Sequence, residues 1–222
     1  IWSAALVVVP EMTLAVEVLS VQAGPTDEDG IYFMDATVRL DAPIVAVRHV
    51  VTHLCDHKDA LPYFTYCRIF EISGRTAWSY AVVDAPLLQP RDYTIVSTVL
   101  QNLRPNGTGV YRTQWRRVTD KGPPPRPGFV RLPFNEGSWT LLPRDGGQRT
   151  ELHYHVRCGS GGAVPGWAAG HVSGITLPEY MKTLERLAQS EERAGRVVAP
   201  SAYPGAGVRV QALDAVLPAA KA

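Results

Sequence analysis

The feature that most constrains this chain is an unbroken series of strand-like segments between residues 66 and 157. Each segment is short and is bounded by Gly, Pro, Asn or Asp, as strands joined by turns are. No helical pattern separates them, which predicts an antiparallel meander rather than βαβ units. The predicted strands are Tyr66–Ser73, Thr76–Asp84, Asp92–Gln101, Gly109–Val118, Gly128–Pro133, Gly137–Leu142 and Thr150–Arg157.

Two strands and a helix precede this series. Leu14–Val21 and Ile31–Leu40 are predicted strands, separated by a Gly-Pro-Asp-rich turn. Apolar residues then recur at helical spacing from Ile44, and Pro43 suits the first helical position because a residue there needs no backbone donor. A helix is therefore predicted over residues 43–55, followed by a short helical or irregular stretch over 58–64.

A long C-terminal helix follows the strands and a glycine-rich turn. Pro178 is expected to kink or restart this helix, with Thr176 as an N-cap. Residues beyond Glu191 are rich in Ala, Pro and Gly, so we predict one domain over residues 1–190 and a tail over 191–222. The apolar positions of the helix are Leu177, Tyr180, Met181, Leu184, Leu187 and Ala188.

Composition supports many short elements and argues against nucleic-acid binding. The 222 residues include 19 glycines and 18 prolines, more turn-forming and helix-breaking residues than a helical bundle contains. The net charge is +1, so the chain lacks the cationic field that binds phosphate backbones. No segment has the roughly 20 apolar residues that span a bilayer.

The compartment is not decided by the sequence. Cys55, Cys67 and Cys158 leave at least one cysteine unpaired and predict no disulfide framework. The apolar stretch Ala4–Pro10 fits the first helix or strand better than the end of a trimmed secretion signal. We expect a soluble chain and favour the cytoplasm over the periplasm or secretion.

Several motifs resemble START domains, the steroidogenic-acute-regulatory-related lipid-transfer family of the SRPBCC/Bet v 1-like superfamily. Pro90-Arg91-Asp92-Tyr93 resembles the Pro-Arg-Asp-aromatic strand of that family, and Asp41-Ala42-Pro43 fits its first internal helix. Gly128–Arg131 with Gly137–Leu141 resembles its next strand pair. Thr150–Val156 and Val164-Pro165-Gly166-Trp167 match its last strand and the entry to its final helix.

The resemblance covers about residues 30–190 and implies an α+β helix-grip fold, in which a C-terminal helix covers a hydrophobic tunnel inside a curved antiparallel sheet. Sterol-binding members place an acidic and a basic residue in that tunnel. The corresponding positions here fall near Trp78 and Ser97, so both charges are missing. Arg91-Asp92 is interpreted as a structural pair at the start of a strand.

The resulting hypothesis is a non-catalytic carrier of one hydrophobic molecule, such as a lipid, sterol-like compound, isoprenoid or pigment. The alternative is a polyketide cyclase/aromatase-like enzyme of the same superfamily that uses a tunnel histidine or tyrosine, with His171 or Tyr154 as candidates. The predicted ligand-binding residues are Trp78, Tyr80, Ser97, Trp115, Trp139, Tyr154, Trp167 and His171.

No metal or cofactor is predicted. His53, Cys55 and His57 do not converge on a helix, because residues two apart point in different directions. His153 and His155 share one face of a strand, and we expect that face to point to solvent, with Leu152, Tyr154 and Val156 toward the tunnel. The chain has no phosphate-binding loop, dinucleotide fingerprint or nucleophile elbow.

A basic cluster is interpreted as a solvated sheet edge, with transient contact to an anionic membrane during ligand loading as the alternative. The cluster consists of Arg112, Arg116, Arg117, Lys121 and Arg126.

Overall fold

A nine-stranded sheet and a long C-terminal helix make up most of the structure, a computed structural model. It describes residues 16–28, 30–86, 88–159, 161–162 and 166–197, and for residues 166–176 the backbone alone. The strands are β1 Glu17–Pro25, β2 Ile31–Leu40, β3 Phe64–Ser73, β4 Thr76–Val83, β5 Arg91–Gln101, β6 Tyr111–Arg117, β7 Val130–Arg131, β8 Phe134–Arg144 and β9 Arg149–Gly159. The helices are α1 Ile44–Thr52 and α2 Gly166–Arg193, and a 3-10 segment covers Leu54–Ala60.

The sheet order is β1-β2-β9-β8-β6-β5-β4-β3, with every neighbouring pair antiparallel. Strands β3 to β9 follow the predicted meander, and β2 returns to pair with β9 across the whole of its length. The segment predicted as a strand over Gly128–Pro133 differs. Only Val130–Arg131 is a strand, and it runs parallel to the start of β5 because the proline-rich loop over residues 122–128 carries the chain back there.

Helix α1 forms where its apolar spacing predicted it, one residue after Pro43. Its side chains at Ile44, Val47 and Val50 are buried against the concave face of the sheet. The helix ends at Thr52, three residues earlier than predicted. The Thr52 hydroxyl hydrogen-bonds the carbonyls of the preceding turn, and the chain then tightens into the 3-10 segment.

The C-terminal half of α2 fills one end of the concave face. Leu177, Met181, Leu184 and Ala188 are buried there, at the predicted spacing, and join the core formed by α1 and the sheet. Pro178 lies inside α2, which continues through it. The α+β class with a curved antiparallel sheet around a C-terminal helix is therefore confirmed.

The cysteine prediction needs correction. Cys55 in the 3-10 segment and Cys67 in β3 form a disulfide, and Cys158 is the free cysteine. The bond ties the connection after α1 to the edge strand of the sheet, which the spacing of the three cysteines did not indicate.

Candidate ligand-binding interior

The concave face of the sheet presents rows of side chains that run across paired strands. One row contains Ala77, Ser97, Trp115, Gly137, Val156 and Met34, in the order of the strands from β4 to β2. The adjacent row contains Val99, Thr113, Trp139, Tyr154 and Ala36. Because alternate residues of a strand point to the same face, both rows look toward α2.

Four aromatic side chains meet on this face. The Trp139 ring lies 4.3 Å from that of Tyr154, centroid to centroid, and 6.0 Å from that of Trp115. Tyr180 of α2 completes the group, 6.1 Å from Trp139 and 6.5 Å from Tyr154. We call Trp115, Trp139, Tyr154 and Tyr180 the aromatic cluster.

Gly137 makes this arrangement sterically feasible. A methyl group at this position would lie 2.3 Å from the Trp115 ring and 2.3 Å from the carbonyl oxygen of His155. The indole therefore lies across the neighbouring strand, where its Nε1 donates a hydrogen bond of 2.8 Å to Asn135 Oδ1. The Trp115 plane is fixed at both ends by packing and by this bond.

The tyrosines of the interior are surrounded by protein yet keep accessible surface. Burial strongly raises the pKa of Tyr154, with the neighbouring Tyr180 and Tyr93 adding to the effect, and burial also raises the pKa of Tyr180. Both side chains nevertheless remain only half-buried. These two half-buried side chains lie where Tyr180 of α2 meets strands β8 and β9.

Tyr93 and Cys158 extend this lining toward the end of the sheet from which α2 departs. They pack together with Ala81 and Leu132. Burial raises the pKa of Tyr93 as well, and it raises the pKa of the Cys158 thiol to about 11. All of these groups are therefore protonated and neutral at physiological pH.

The predicted ligand residues divide between the two faces. Trp115, Trp139 and Tyr154 form part of the aromatic cluster, and Ser97 lies beside Trp115 on the concave face. Trp167 and His171 fall in α2, but their side chains lie outside the described residues.

The prediction that Trp78 and Tyr80 line the tunnel is corrected, because both side chains lie on the convex face. Ala77 and Ala81 of β4 point inward, so the two large side chains between and beyond them point outward. The Lys121 ammonium lies 4.1 Å from the Trp78 ring centroid. The two inward-facing neighbours of Trp78 are Ala77 and Ser79, and neither carries a charge. Strand β4 therefore presents no acidic side chain of the sterol-binding type on its concave face.

A buried network explains what Tyr80 does instead. Its hydroxyl donates to Asp92 Oδ2 at 2.8 Å, and Arg131 donates to both oxygens of the same carboxylate at 2.7 and 3.0 Å. Burial, together with Asp92, raises the pKa of Tyr80 to about 12. Arg131 also donates to the carbonyls of Pro123 and Pro124, which fastens the proline-rich loop over the convex face.

Asp92 therefore pairs with Arg131, and Arg91 points to the opposite face of β5. The prediction that Arg91 and Asp92 form a structural pair is corrected in one respect, since the partner of Asp92 is Arg131 and not Arg91. Sequence reasoning also missed Tyr93, Tyr180 and Cys158 as lining residues. The signal was present, since Tyr93 and Ser97 share a strand parity and Cys158 continues the parity of Tyr154.

The histidines of β9 point to the convex face, as predicted. His155 Nδ1 lies 2.6 Å from Asp35 Oδ1, and His153 Nε2 lies 2.8 Å from Glu151 Oε1. Within the described ranges, no three His, Cys, Asp or Glu side chains are grouped so as to hold a metal ion. Cys55 is engaged in its disulfide.

Comparison with solved structures shows which known fold this architecture has. The chain is similar to a STAR-related lipid transfer protein from Xanthomonas axonopodis, with a TM-score of 0.61 and 22% identity over 76% of this chain and 98% of that one. It is similar to human STARD10, with a TM-score of 0.64 and 16% identity over 87% of this chain and 88% of that one. The chain has the START fold.

The same fold extends to an enzyme. A Streptomyces aromatase/cyclase matches with a TM-score of 0.55 and 16% identity, over 76% of this chain and 99% of that one. In sequence, an uncharacterized protein of Pseudomonas aeruginosa is 26% identical over 135 residues, which is 57% of this chain and 58% of that protein's length. No family model matches the chain. Among the helices of the described ranges, none is long and apolar enough to cross a membrane.

Proposed function

We propose that the protein carries one hydrophobic molecule in the interior between the sheet and α2. The observation that carries this proposal is the aromatic cluster on the concave face, in which Trp115, Tyr154 and Tyr180 are only half-buried. The START fold is common to lipid transfer proteins among its neighbours. Enclosing an apolar ligand would contribute about 25 cal/mol for each Å² of apolar surface removed from water, before the costs of ordering.

Bromine quenching of tryptophan fluorescence tests the location of the ligand, since brominated chains quench only at short range. The probe is the uncharged methyl ester of dibromostearic acid, added to the full chain. We expect quenching of wild type, a larger fractional quench for Trp78→Phe, which removes an emitter on the convex face, and a smaller one for Trp115→Phe. Equal quenching of the two variants would place the ligand elsewhere.

A cyclase/aromatase-like activity is the second candidate, and the tyrosine hydroxyls of the interior favour it. Tyr93, Tyr154 and Tyr180 have raised pKa values, so they act as hydrogen-bond donors toward a polyketide carbonyl rather than as bases. Of the two candidate residues, His171 has the side-chain type suited to move a proton near pH 7. Turnover of an aromatic polyketide that disappears in His171→Ala, with binding retained, would favour the enzyme over the carrier.

The remaining expectations are proposals as well. One domain over residues 1–190 with a tail over 191–222 remains a proposal, and α2 runs three residues past that boundary, to Arg193. Membrane contact would now rest on Arg112 and Arg116, which are exposed, because Lys121 pairs with Glu71. For the compartment we infer an oxidising one, since disulfides such as Cys55–Cys67 are rare in the cytosol, and this replaces the earlier preference for the cytoplasm.

A further inference from the structure

Arg91 and Asp92, adjacent in β5, meet very different surroundings. Asp92 is fully satisfied on the convex face by Arg131 and Tyr80. Arg91 points to the concave face, where it lies near Cys158. Burial raises the pKa of that thiol, and the positive charge of Arg91 acts in the opposite direction.

Arg91 is a buried cation that pairs with no carboxylate in the part of the chain that the structure describes. The residue is 9% exposed, and its Nη1 donates to the carbonyl oxygen of Gln89. Among the residues that the structure describes, no Asp or Glu forms an ion pair with it. The chain over residues 160–176, which follows Cys158, contains no Asp or Glu in its sequence. Buried charges in proteins are normally paired, so this guanidinium is suited to a negative charge that the described residues do not supply.

The position of Arg91 is also suited to a ligand. It begins β5, and Tyr93 and Ile95 follow it on the same face, toward Ser97 and the aromatic cluster. A cation at the end of a lining formed mainly by neutral side chains, with Arg117 opposite Ile95 as the other cation of that face, matches the shape of an amphiphile, which has one charged end and a hydrocarbon chain.

We propose that Arg91 binds the anionic head group of an amphiphilic ligand, a carboxylate or a phosphate, whose hydrocarbon part lies along Tyr93 and the aromatic cluster. This inference rests on the proposed carrier function. The planar guanidinium presents parallel N–H donors that match two oxygens of either anion. Tyr93, held in its neutral form, supplies a further donor on the same strand face.

Competition experiments with ligands of equal chain length test this inference. Hexadecanoic acid, hexadecyl phosphate and hexadecanol are each used to displace an uncharged fluorescent probe, N-phenylnaphthylamine, from the full chain at pH 8. We expect at least one of the two anions to bind about tenfold or more tightly than the alcohol, the usual gain from a charge-assisted hydrogen bond. The anion with the higher affinity identifies the head group as carboxylate or phosphate.

Variants of Arg91 attribute the preference to its side chain. Arg91→Gln should bring the affinity for the anion down to that for hexadecanol while leaving the alcohol unchanged, and Arg91→Lys should retain part of the preference. Arg116→Gln, an exposed residue of β6, is the control of equal charge change and should behave as wild type.

The outcomes separate the two proposals. Equal affinity of wild type for all three ligands, or a preference that persists in Arg91→Gln, would overturn the role of Arg91 and leave the carrier function intact. If neither the probe nor any of the three ligands binds wild type, the carrier function itself fails.

Discussion

Glu185 illustrates how a single buried residue fixes the helix on the sheet. Its side chain is fully buried, and its Oε2 accepts a hydrogen bond of 2.7 Å from the backbone N–H of Asp41, between β2 and α1. Gln189, one turn later, donates to the carbonyl of the same residue at 2.7 Å. These two bonds anchor the C-terminal half of α2. The other oxygen of Glu185 is buried and has no hydrogen-bond partner among the described residues.

The burial of Glu185 predicts a stability that depends on pH. Burial raises its pKa, with the Asp41 N–H acting against the shift, so the charged form costs stability at neutral pH. Glu185→Gln keeps an acceptor for Asp41 and removes the charge. We expect a higher Tm at pH 7, by about 2–4 °C for each kcal/mol that the substitution adds to the free energy of unfolding. The gain should disappear as pH falls toward 4, where the carboxyl is protonated in the folded and the unfolded chain.

Thermal unfolding followed by circular dichroism at several pH values measures this effect. Glu192→Gln, an exposed residue on the same helix, is the matched control and should leave Tm unchanged. A lower Tm for Glu185→Gln at pH 7 would show that the charged carboxylate stabilises the anchor.

At the scale of elements, the sequence correctly predicts those helices and strands that have one apolar face and one polar face. The bounds of β2 agree with the prediction, and α1 begins where its apolar spacing starts, because each element buries one face and has a polar boundary. Strand β4 has no such pattern. Trp78, Tyr80 and Val82 pack on the convex face, while Ala77 and Ala81 pack on the concave one. With both faces apolar, alternation does not tell which one looks inward.

The cover over the convex face causes this ambiguity. Phe129, from the stretch after the proline-rich loop, packs against the cluster of Tyr66, Phe70 and Tyr80, so that face of the sheet is not solvated. Tyr93 and Arg91 share the strand parity of Ser97, so their inward direction could have been predicted; the pairing of Asp92 with Arg131 that fixes the strand could not. Such pairings between distant residues cannot be read from local sequence.

The Cys55–Cys67 bond is the covalent link between two elements, and its removal should be costly. It closes a loop with a separation of 12 residues. The chain-entropy relation gives about 3 kcal/mol for a loop of this size. We expect Cys55→Ser/Cys67→Ser to lower the free energy of unfolding by about that amount, measured by urea denaturation.

Cys158→Ser is the control for this experiment, because Cys158 is free. A reducing agent should lower the free energy of unfolding of Cys158→Ser as it does for wild type. It should not lower that of the double variant any further. Wild type that unfolds at the same urea concentration with and without reductant would contradict a stabilising disulfide.

At the scale of the molecule, the two ends of the concave face have different tasks. The C-terminal half of α2 and α1 close one end with a tightly packed apolar core. Toward the other end, the neutral side chains of Tyr93, Tyr154, Tyr180 and Cys158 line the concave face, with Arg91 at its margin. The packed end supplies stability, and the lined end is where we place the ligand.

Native mass spectrometry of the purified full chain, before and after incubation with hexadecanoic acid, tests this account most directly. We predict one ligand per chain, lost in Ser97→Trp, which fills the concave face beside Trp115, and retained in Ser138→Trp on the convex face. A folded wild-type chain that carries no ligand at any ratio would contradict it, as would an adduct that survives in Ser97→Trp.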